Sequence, residues 1–270
     1  MATNEWVQVG ELSDSFQHAS NAPEASAALV GKNVNLHMAN GWVIRHSFLS
    51  VDVMEWEILD GPGKGETQQE DCRVTSLREG VYLVDFSKGQ EGATRGTLVF
   101  NFATGLCVCA LSKLLSREEC DLSTYERACK QMPLANASSN IFVCGIERDV
   151  TDADTVPYTD ELIGQRIQYR YSPAEKYEHY YLNTGLYGWH CLEGVEKGLG
   201  DTDEAAYIKI ADELYLFFWH EKIIPTVGTV MIDLKAMATT GKLFGYIGDD
   251  FGKIQSIPVG ARIEKILPAS

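Results

Sequence analysis

The hydrophobic and polar positions along the chain alternate in short runs rather than with a helical period. Apolar and aromatic runs of strand length recur about every 8–15 residues with turn residues between them, a pattern typical of antiparallel β-structure. In the second half of the chain the predicted strands cover residues 166–171, 177–182, 186–192, 207–210, 214–221, 229–234 and 242–246.

Turn residues predict how these strands are connected. Asp212 and Glu213 lie between two apolar runs and predict a tight two-residue hairpin, and residues 183–185 and 240–241 mark further turns. About seven short strands without interleaved helices predict a meander that curls into a small β-barrel, and such a barrel can enclose one small ligand. A β-sandwich is the alternative that this pattern leaves open.

The chain contains an internal repeat at a shift of 133 residues. Between residues 29 and 86, 11 of 58 positions are identical in the shifted copy, including His46 with His179 and Trp56 with Trp189. After an adjustment of one residue, the segment 96–102 aligns with 228–234. A repeat of this length predicts two copies of one β-unit.

The repeat sets the predicted domain boundaries. A lead-in covers residues 1–28 and contains a short helix near residues 14–18, and the first barrel covers 29–115. A linker of one helix and a loop covers 116–161, and the second barrel covers 162–270. Within the linker, Ser116 and Glu119 have the spacing of a capping box, which predicts that the helix begins there.

Composition and charge exclude several classes of protein. The 270 residues include 23 Lys+Arg and 38 Asp+Glu, which give a formal net charge of −15, and 45% of them are hydrophobic. This hydrophobic content is too high for a disordered chain. The acidic balance disfavours nucleic acid and anionic membrane surfaces as partners, because both require a basic surface.

The N-terminal segment and the cysteines bear on the compartment. Residues 1–10 have neither a basic region nor an apolar run, so no secretory signal is expected and the location is expected to be cytoplasmic. The seven cysteines are scattered and lack zinc spacing, so we expect free thiols and no metal site.

The second copy resembles the MoaF family, known as molybdenum cofactor biosynthesis protein F. The resemblance rests on the segments YEHYYLN at 177–183, YGWHCL at 187–192, EKGLGDTD at 196–203 and GKLFGY at 241–246. It implies two tandem barrels of the lipocalin or calycin type. Some MoaF-like and related two-barrel proteins are cyclases or dehydratases of natural-product pathways that use no cofactor, so the resemblance also implies that none is needed here.

Each copy is also similar to the barrel of phenolic acid decarboxylases, in which tyrosines, an arginine and a glutamate surround a hydroxycinnamate. In the second copy the matching positions hold Tyr169, Tyr171, Tyr177 and Glu221, but Leu199 replaces the arginine. In the first copy the corresponding residues are Leu36, Met38, Ile44 and Lys88, with Glu66 in place of the arginine. Without an arginine to bind the substrate carboxylate, decarboxylation is disfavoured.

Alternation along the strands of the second copy predicts an aromatic interior for a large, flat, apolar molecule. The residues expected to bind a substrate are Tyr171, Tyr181, Trp189, Tyr207, Phe217 and Trp219. The residues expected to act in catalysis are Tyr169, Tyr177, His179, Lys209 and Glu221.

Three of the catalytic groups have a specific expected role. Burial would raise the pKa of Glu221 so that it acts as a general acid, and His179 would transfer protons without a large change in its pKa. Lys209 would stabilise a developing oxyanion. The alternative is that these aromatic side chains form only a packed core.

Two classes of function are compatible with these residues. One is a cofactor-independent enzyme that dehydrates or isomerises an apolar, oxygenated substrate, phenolic, polyketide or terpenoid, and promotes its cyclisation, including hetero-Diels–Alder addition. The other is a non-catalytic small-molecule-binding or molybdenum-cofactor accessory protein. The sequence does not decide which barrel holds the site, because the first copy carries Trp42, His46, Trp56 and Asp85. Related barrels often pair, so a homodimer is compatible with either class.

Overall fold

The computed structural model describes residues 6–7, 9–17, 20–88, 93–248 and 250–268, without the side chains of residues 10, 11, 14 and 17. The chain divides into two compact units, each built from separate segments. We call the unit formed by Pro23–Lys113 and Ser139–Val156 the first unit. The second unit is formed by Met1–Ala22, Leu114–Ser138 and Pro157–Ser270.

Eight antiparallel strands close the first barrel, with each strand paired to its neighbour in the chain and β8 paired to β1. The strands are β1 (Asn33–Met38), β2 (Val43–Phe48), β3 (Val53–Asp60), β4 (Thr67–Arg78), β5 (Val81–Ser87), β6 (Thr94–Asn101), β7 (Leu106–Leu114) and β8 (Ala137–Ile146). Closure gives every strand of this ring a hydrogen-bonded neighbour on both sides, so no strand is an edge strand.

The second barrel is also a closed antiparallel ring, and a ninth strand extends the sheet beside it. The strands are β9 (Gln165–Arg170), β10 (Lys176–Asn183), β11 (Leu186–Glu193), β12 (Gly200–Ala211), β13 (Leu214–His220), β14 (Thr226–Asp233), β15 (Ala238–Ile247), β16 (Asp250–Val259) and β17 (Arg262–Pro268). One edge of β15 pairs with β14. The other edge pairs with β16 and, at Ala238, with Arg262 of β17, and β17 pairs with β9, which closes the ring.

These two rings confirm the predicted fold class. The hairpin at Asp212 and Glu213 is also confirmed, because Ala211 pairs with Leu214 across a two-residue loop. Glu213 adopts a left-handed conformation with φ of 54°, as tight β-hairpins require. In the described ranges, no helix is long and apolar enough to cross a membrane.

The predicted linker differs from the structure in two ways. Residues 137–146 form β8 instead of a loop, because its buried end, residues 144–146, pairs with β1 and completes the first barrel. The predicted linker helix is two short helices, α2 (Arg117–Cys120) and α3 (Thr124–Cys129). The capping box is confirmed: the Ser116 hydroxyl accepts from the backbone of Glu119, whose carboxylate accepts from the backbone of Ser116.

Helix α1 (Val9–Gln17) belongs to the second unit, although it precedes the first barrel in the chain. Val9, Leu12 and Phe16 recur at spacings of three and four, so they share one helical face, and all three are buried in the core of the second barrel. The lead-in helix predicted near residues 14–18 overlaps α1, but residue 18 lies outside the described residues.

The repeat is visible in the packing of both barrels. A Cβ atom on Gly228 would come within 2.0 Å of the Trp219 ring, and one on Gly96 within 2.1 Å of the Phe86 ring. Trp219 and Phe86 are related by the 133-residue shift. In each barrel a glycine therefore lets an aromatic ring from the neighbouring strand lie flat against the sheet.

Candidate functional site

A small cavity of about 40 Å³ lies inside the second barrel. The structure brings these predicted site residues to its wall: Tyr171, Tyr177, His179, Trp189, Trp219 and Glu221. The predicted strand faces therefore do converge on one point. In the described part of the chain, no lysine or arginine lines this cavity.

The other lining residues are Leu12, Phe16, Tyr187, Glu196 and Leu243, which were not among the predicted site residues. Tyr187 could have been found, because it shares a strand face with Trp189. Glu196 lies in the turn after β11, where no alternation rule applies. Leu12 and Phe16 lie on α1, more than 150 residues away in the chain from the tyrosines they contact, so no local pattern connects them.

Four predicted aromatic residues lie outside the cavity, in the core beside it: Tyr169, Tyr181, Tyr207 and Phe217. The hydroxyls of Tyr169 and Tyr181 hydrogen-bond to each other at 2.6 Å, and the Tyr207 hydroxyl donates to the Leu186 carbonyl at 2.9 Å. Their polar atoms are thus satisfied within the protein, and these residues support the wall of the cavity instead of forming it.

Lys209 does not reach the cavity. Its ammonium group pairs with the carboxylate of Glu161, which also accepts a hydrogen bond from Tyr215 at 2.7 Å. Lys209 pairs with Tyr215 and Glu204 pairs with His220, so Lys209 lies at the opposite end of the β12–β13 hairpin from Glu221. The five residue steps from Glu204 to Lys209 span about 17 Å. The expectation that Lys209 stabilises an interior oxyanion is therefore wrong on position.

Glu221 follows β13 directly, and two hydrogen bonds of its backbone fix its position. Its N–H donates to the Thr226 carbonyl at 3.0 Å, and its own carbonyl accepts from the Asn136 N–H at 2.9 Å. The Trp219 indole donates to its carboxyl at 3.3 Å. Burial raises the pKa of Glu221 well above its usual range, and the carboxyls of Asp203 and Glu196 add to this effect. The predicted shift is confirmed, and it favours a neutral carboxylic acid.

Tyr177 and Glu196 form a buried pair in the same cavity. The Tyr177 hydroxyl donates to the Glu196 carboxylate at 2.9 Å. Burial raises the pKa of Glu196, against a smaller opposing effect of the Tyr177 hydrogen bond. Burial, followed by the charge of Glu196, raises the pKa of Tyr177 well above its usual range. A carboxylate with a raised pKa is a stronger base than an exposed one, so this pair can accept a proton.

His179 is enclosed by aromatic rings, with the Tyr169 ring centroid at 4.7 Å and the Tyr187 centroid at 5.3 Å. Burial lowers its pKa to about 3, so the expectation of a small pKa change is wrong. Among the described residues, its Nδ1 atom has no hydrogen-bond partner. A neutral imidazole offers a donor and an acceptor for hydrogen bonds without supplying a charge.

Asp203 fixes the orientation of one cavity wall. Its carboxylate accepts from the Trp189 indole at 3.0 Å and from the Lys222 backbone at 3.2 Å. Burial nevertheless raises the pKa of Asp203, because Lys222 offsets only part of the desolvation. In the described ranges, no group of three or more His, Cys, Asp or Glu side chains is arranged to hold a metal ion.

Fold and cavity together define a tandem β-barrel protein of the calycin type, with an aromatic cavity that contains carboxyl groups in its second barrel. The comparisons with known proteins agree with this class. The model of the MoaF N-terminal domain matches residues 4–116, and that of the MoaF C-terminal domain matches residues 156–268.

The chain is also similar to "Protein MoaF" of Klebsiella aerogenes, at 34% identity over 260 residues, which are 95% of this chain and 93% of that protein. The chain therefore belongs to the MoaF family, and the resemblance seen in the sequence is confirmed.

A crystal structure from Burkholderia vietnamiensis, of a protein provisionally described as a beta-lactamase, covers 48% of this chain and 100% of its own. The identity is 14% and the TM-score is 0.32. Likeness at this level carries no conclusion about fold or activity.

Proposed function

We propose that the second barrel is the acid–base site of a cofactor-independent enzyme. It would dehydrate or isomerise an apolar, oxygenated substrate to a reactive species that then cyclises. The observation that carries this proposal is that Glu221 and the Tyr177–Glu196 pair face one aromatic cavity with their pKa values raised.

Glu221 supplies the proton in this proposal. Since its raised pKa favours the protonated carboxyl, it can protonate a leaving hydroxyl as the C–O bond breaks. Glu196 receives the other proton, from a phenol or an acidic C–H of the substrate, either directly or through the Tyr177 hydroxyl. One water leaves, and a proton has moved from Glu221 to Glu196. Proton exchange between the two carboxyls resets the site.

The aromatic wall directs the cyclisation step. A phenol that loses water from a benzylic carbon becomes a quinone methide, which reacts rapidly with bulk water. A dry, shaped cavity delays that reaction and holds an internal alkene beside the reactive carbon, so that addition becomes effectively intramolecular. Neutral His179 would hydrogen-bond to the substrate oxygen without adding charge.

Substrate entry requires helix α1 to move. A cavity of about 40 Å³ is far below the 300–1,000 Å³ typical of small-molecule sites. Leu12 and Phe16 form one side of it, and the Phe16 ring centroid is 4.9 Å from Tyr171 and 5.9 Å from Tyr177. We therefore assign α1 as a lid that opens for the substrate and excludes water when it closes.

The test uses purified full-length protein and a 2-(1-hydroxyalkyl)phenol with a tethered alkene. We expect a product that has lost one water and has cyclised with a single configuration, detected by chiral chromatography and mass spectrometry. Glu221→Gln and Tyr177→Phe should each lower kcat by about 10²–10⁴-fold, the range typical of general acid–base groups. Glu161→Gln is the matched control, since Glu161 is bonded to Lys209 and Tyr215 outside the cavity.

Two outcomes contradict the proposal. If Glu221→Gln and Tyr177→Phe both turn over at the wild-type rate, the acid–base assignment is wrong. If the phenol binds tightly and is recovered unchanged, the second candidate function is favoured, a non-catalytic small-molecule-binding protein.

A molybdenum-cofactor accessory role is a form of that second candidate. The described lining of the cavity in the second barrel contains no lysine or arginine, which disfavours an anionic ligand there. The same reasoning disfavours decarboxylation of a carboxylate substrate, because buried Leu199 stands where the decarboxylase pattern has arginine.

A further inference from the structure

The first barrel contains a larger cavity than the second. Its volume is about 500 Å³, within the 300–1,000 Å³ range typical of small-molecule sites. Its apolar wall includes Leu36, Met38, Ile44, Trp42, Trp56 and Phe86. A cavity of this size and composition accommodates a flat apolar molecule without a conformational change in the barrel.

The internal repeat explains the difference in volume. Leu36, Met38 and Ile44 occupy the positions of Tyr169, Tyr171 and Tyr177 in the second copy. Each replacement removes an aromatic ring from the interior. The described lining of the first cavity also contains no residue of helix α1. The first barrel therefore retains an interior space that phenol rings and a helix fill in the second.

The buried polar group of this cavity is His46, the counterpart of His179. It is 5% exposed and lines the cavity, and burial lowers its pKa to about 4, so the ring is neutral at pH 7. The backbone of Ile44 hydrogen-bonds to the ring and opposes a small part of this shift, but the Nδ1 atom has no hydrogen-bond partner within reach among the described residues. A buried polar atom without a partner costs free energy, and a ligand that supplies the partner recovers it. A hydroxyl group suits either tautomer of the ring, because it both donates and accepts.

The acid–base groups of the second barrel have no counterpart here. The position of Glu221 holds Lys88, and the position of Glu196 holds Gly63; both lie at the exposed rim of the cavity. Asp85 is not part of the lining and forms an ion pair with Arg95 at 2.7 Å. Glu66 also lines the cavity, but it is exposed, so the described lining contains no buried carboxyl group. We therefore expect this cavity to bind a ligand without proton transfer.

We propose that the first barrel is a binding site for a flat, apolar, hydroxylated small molecule, whose hydroxyl group bonds to His46. The site is independent of the acid–base function proposed for the second barrel. It would hold a phenolic or similar ligand before or after reaction elsewhere.

The test is isothermal titration of the full-length protein with 2-naphthol and with 2-methoxynaphthalene, which lacks the hydroxyl donor. We expect 2-naphthol to bind with saturation at one site and at least about tenfold more tightly than the methyl ether. Ile44→Trp, which fills the cavity, should weaken 2-naphthol binding at least about tenfold. His46→Leu should abolish the preference for the hydroxyl while binding of the methyl ether persists.

Phe218→Leu is the control, because Phe218 is buried in the second barrel and lines neither cavity, so this variant should leave the binding of 2-naphthol unchanged. Near-UV circular dichroism checks the fold of each variant, and Leu98→Phe provides a second, milder filling of the same cavity. The proposal is overturned if 2-naphthol shows no saturation, or if both first-barrel fillings leave its binding unchanged. Turnover by the second barrel, measured separately, has no bearing on this result.

Discussion

At the residue scale, burial decides the protonation of the interior side chains. It raises the pKa of Glu221 well above its usual range and lowers that of His179 to about 3, so burial favours the neutral form of both the acid and the base. The direction of the pKa shift of Glu221 could be predicted, because the sequence predicts an apolar barrel interior. The size of the effect on His179 could not, because it depends on rings from other strands that surround the imidazole.

The two buried histidines predict an acid-sensitive fold. The folded pKa of His179, about 3, lies below the unfolded value of 6.5, so its contribution to stability is present above pH 6.5 and is lost as the pH falls toward 3. Between pH 7 and pH 5 this loss is about 2 kcal/mol. Urea unfolding of His179→Gln should show a correspondingly smaller loss over that interval. Equal losses in variant and wild type would contradict the assignment.

Glu221 predicts the opposite dependence on pH. Because its folded pKa is raised, the stability that its proton contributes is present below pH 4.5 and is lost as the pH rises through the folded pKa. Glu221→Gln should therefore be more stable than wild type at pH 8 and differ less at pH 4. Thermal unfolding at both pH values checks this, with Glu161→Gln as control. A variant less stable than wild type at pH 8 would show that the carboxyl is ionised in the folded protein.

At the element scale, helix α1 covers the cavity of the second barrel, although the whole first barrel lies between them in the chain. Phe16→Ala should cost about 3–5 kcal/mol of unfolding free energy and should open the cavity to solvent. The opening should appear as stronger acrylamide quenching of Trp189 and Trp219, which line the cavity. Phe218→Ala, which removes a buried ring outside the cavity, should destabilise the protein without that gain in quenching. Equal quenching in the two variants would exclude the lid.

The glycine positions on β14 and β6 give a second prediction for the elements. Gly228→Ala and Gly96→Ala each force an aromatic ring away from the sheet, and overpacking of this kind costs about 1–3 kcal/mol. The displaced ring is Trp219 in one case and Phe86 in the other, so only Gly228→Ala should shift the tryptophan emission. Emission spectra and urea midpoints of both variants measure this. Unchanged stability in either would show that the ring moves freely.

At the scale of the whole molecule, each unit is assembled from separate segments of the chain. The second unit takes α1 and residues 114–138 in addition to its barrel strands. The fragment 157–270 therefore lacks Val9, Leu12 and Phe16 of the core, and the Asn136 side chain that donates to the Lys222 carbonyl at 2.7 Å.

That fragment should be less stable than the intact protein and should bind a dye for exposed apolar surface, because its barrel mouth is uncovered. A peptide of residues 1–22 added in trans should raise its melting temperature, and the same peptide with Phe16→Ala should not. A fragment that melts at the temperature of the intact protein would contradict this division of the chain.

The sequence by itself determined the β-strands, the duplication, the MoaF resemblance and an aromatic interior. It could do so because alternation and the 133-residue shift are local or periodic properties of the chain. Only the tertiary structure decided that Lys209 lies at the far end of a hairpin, that residues 137–146 close the first barrel and that α1 fills the second. It also decided which cavity is large. These features depend on contacts between segments far apart in sequence. Side-chain volume and strand register together determine those contacts, and neither can be read from a local sequence pattern.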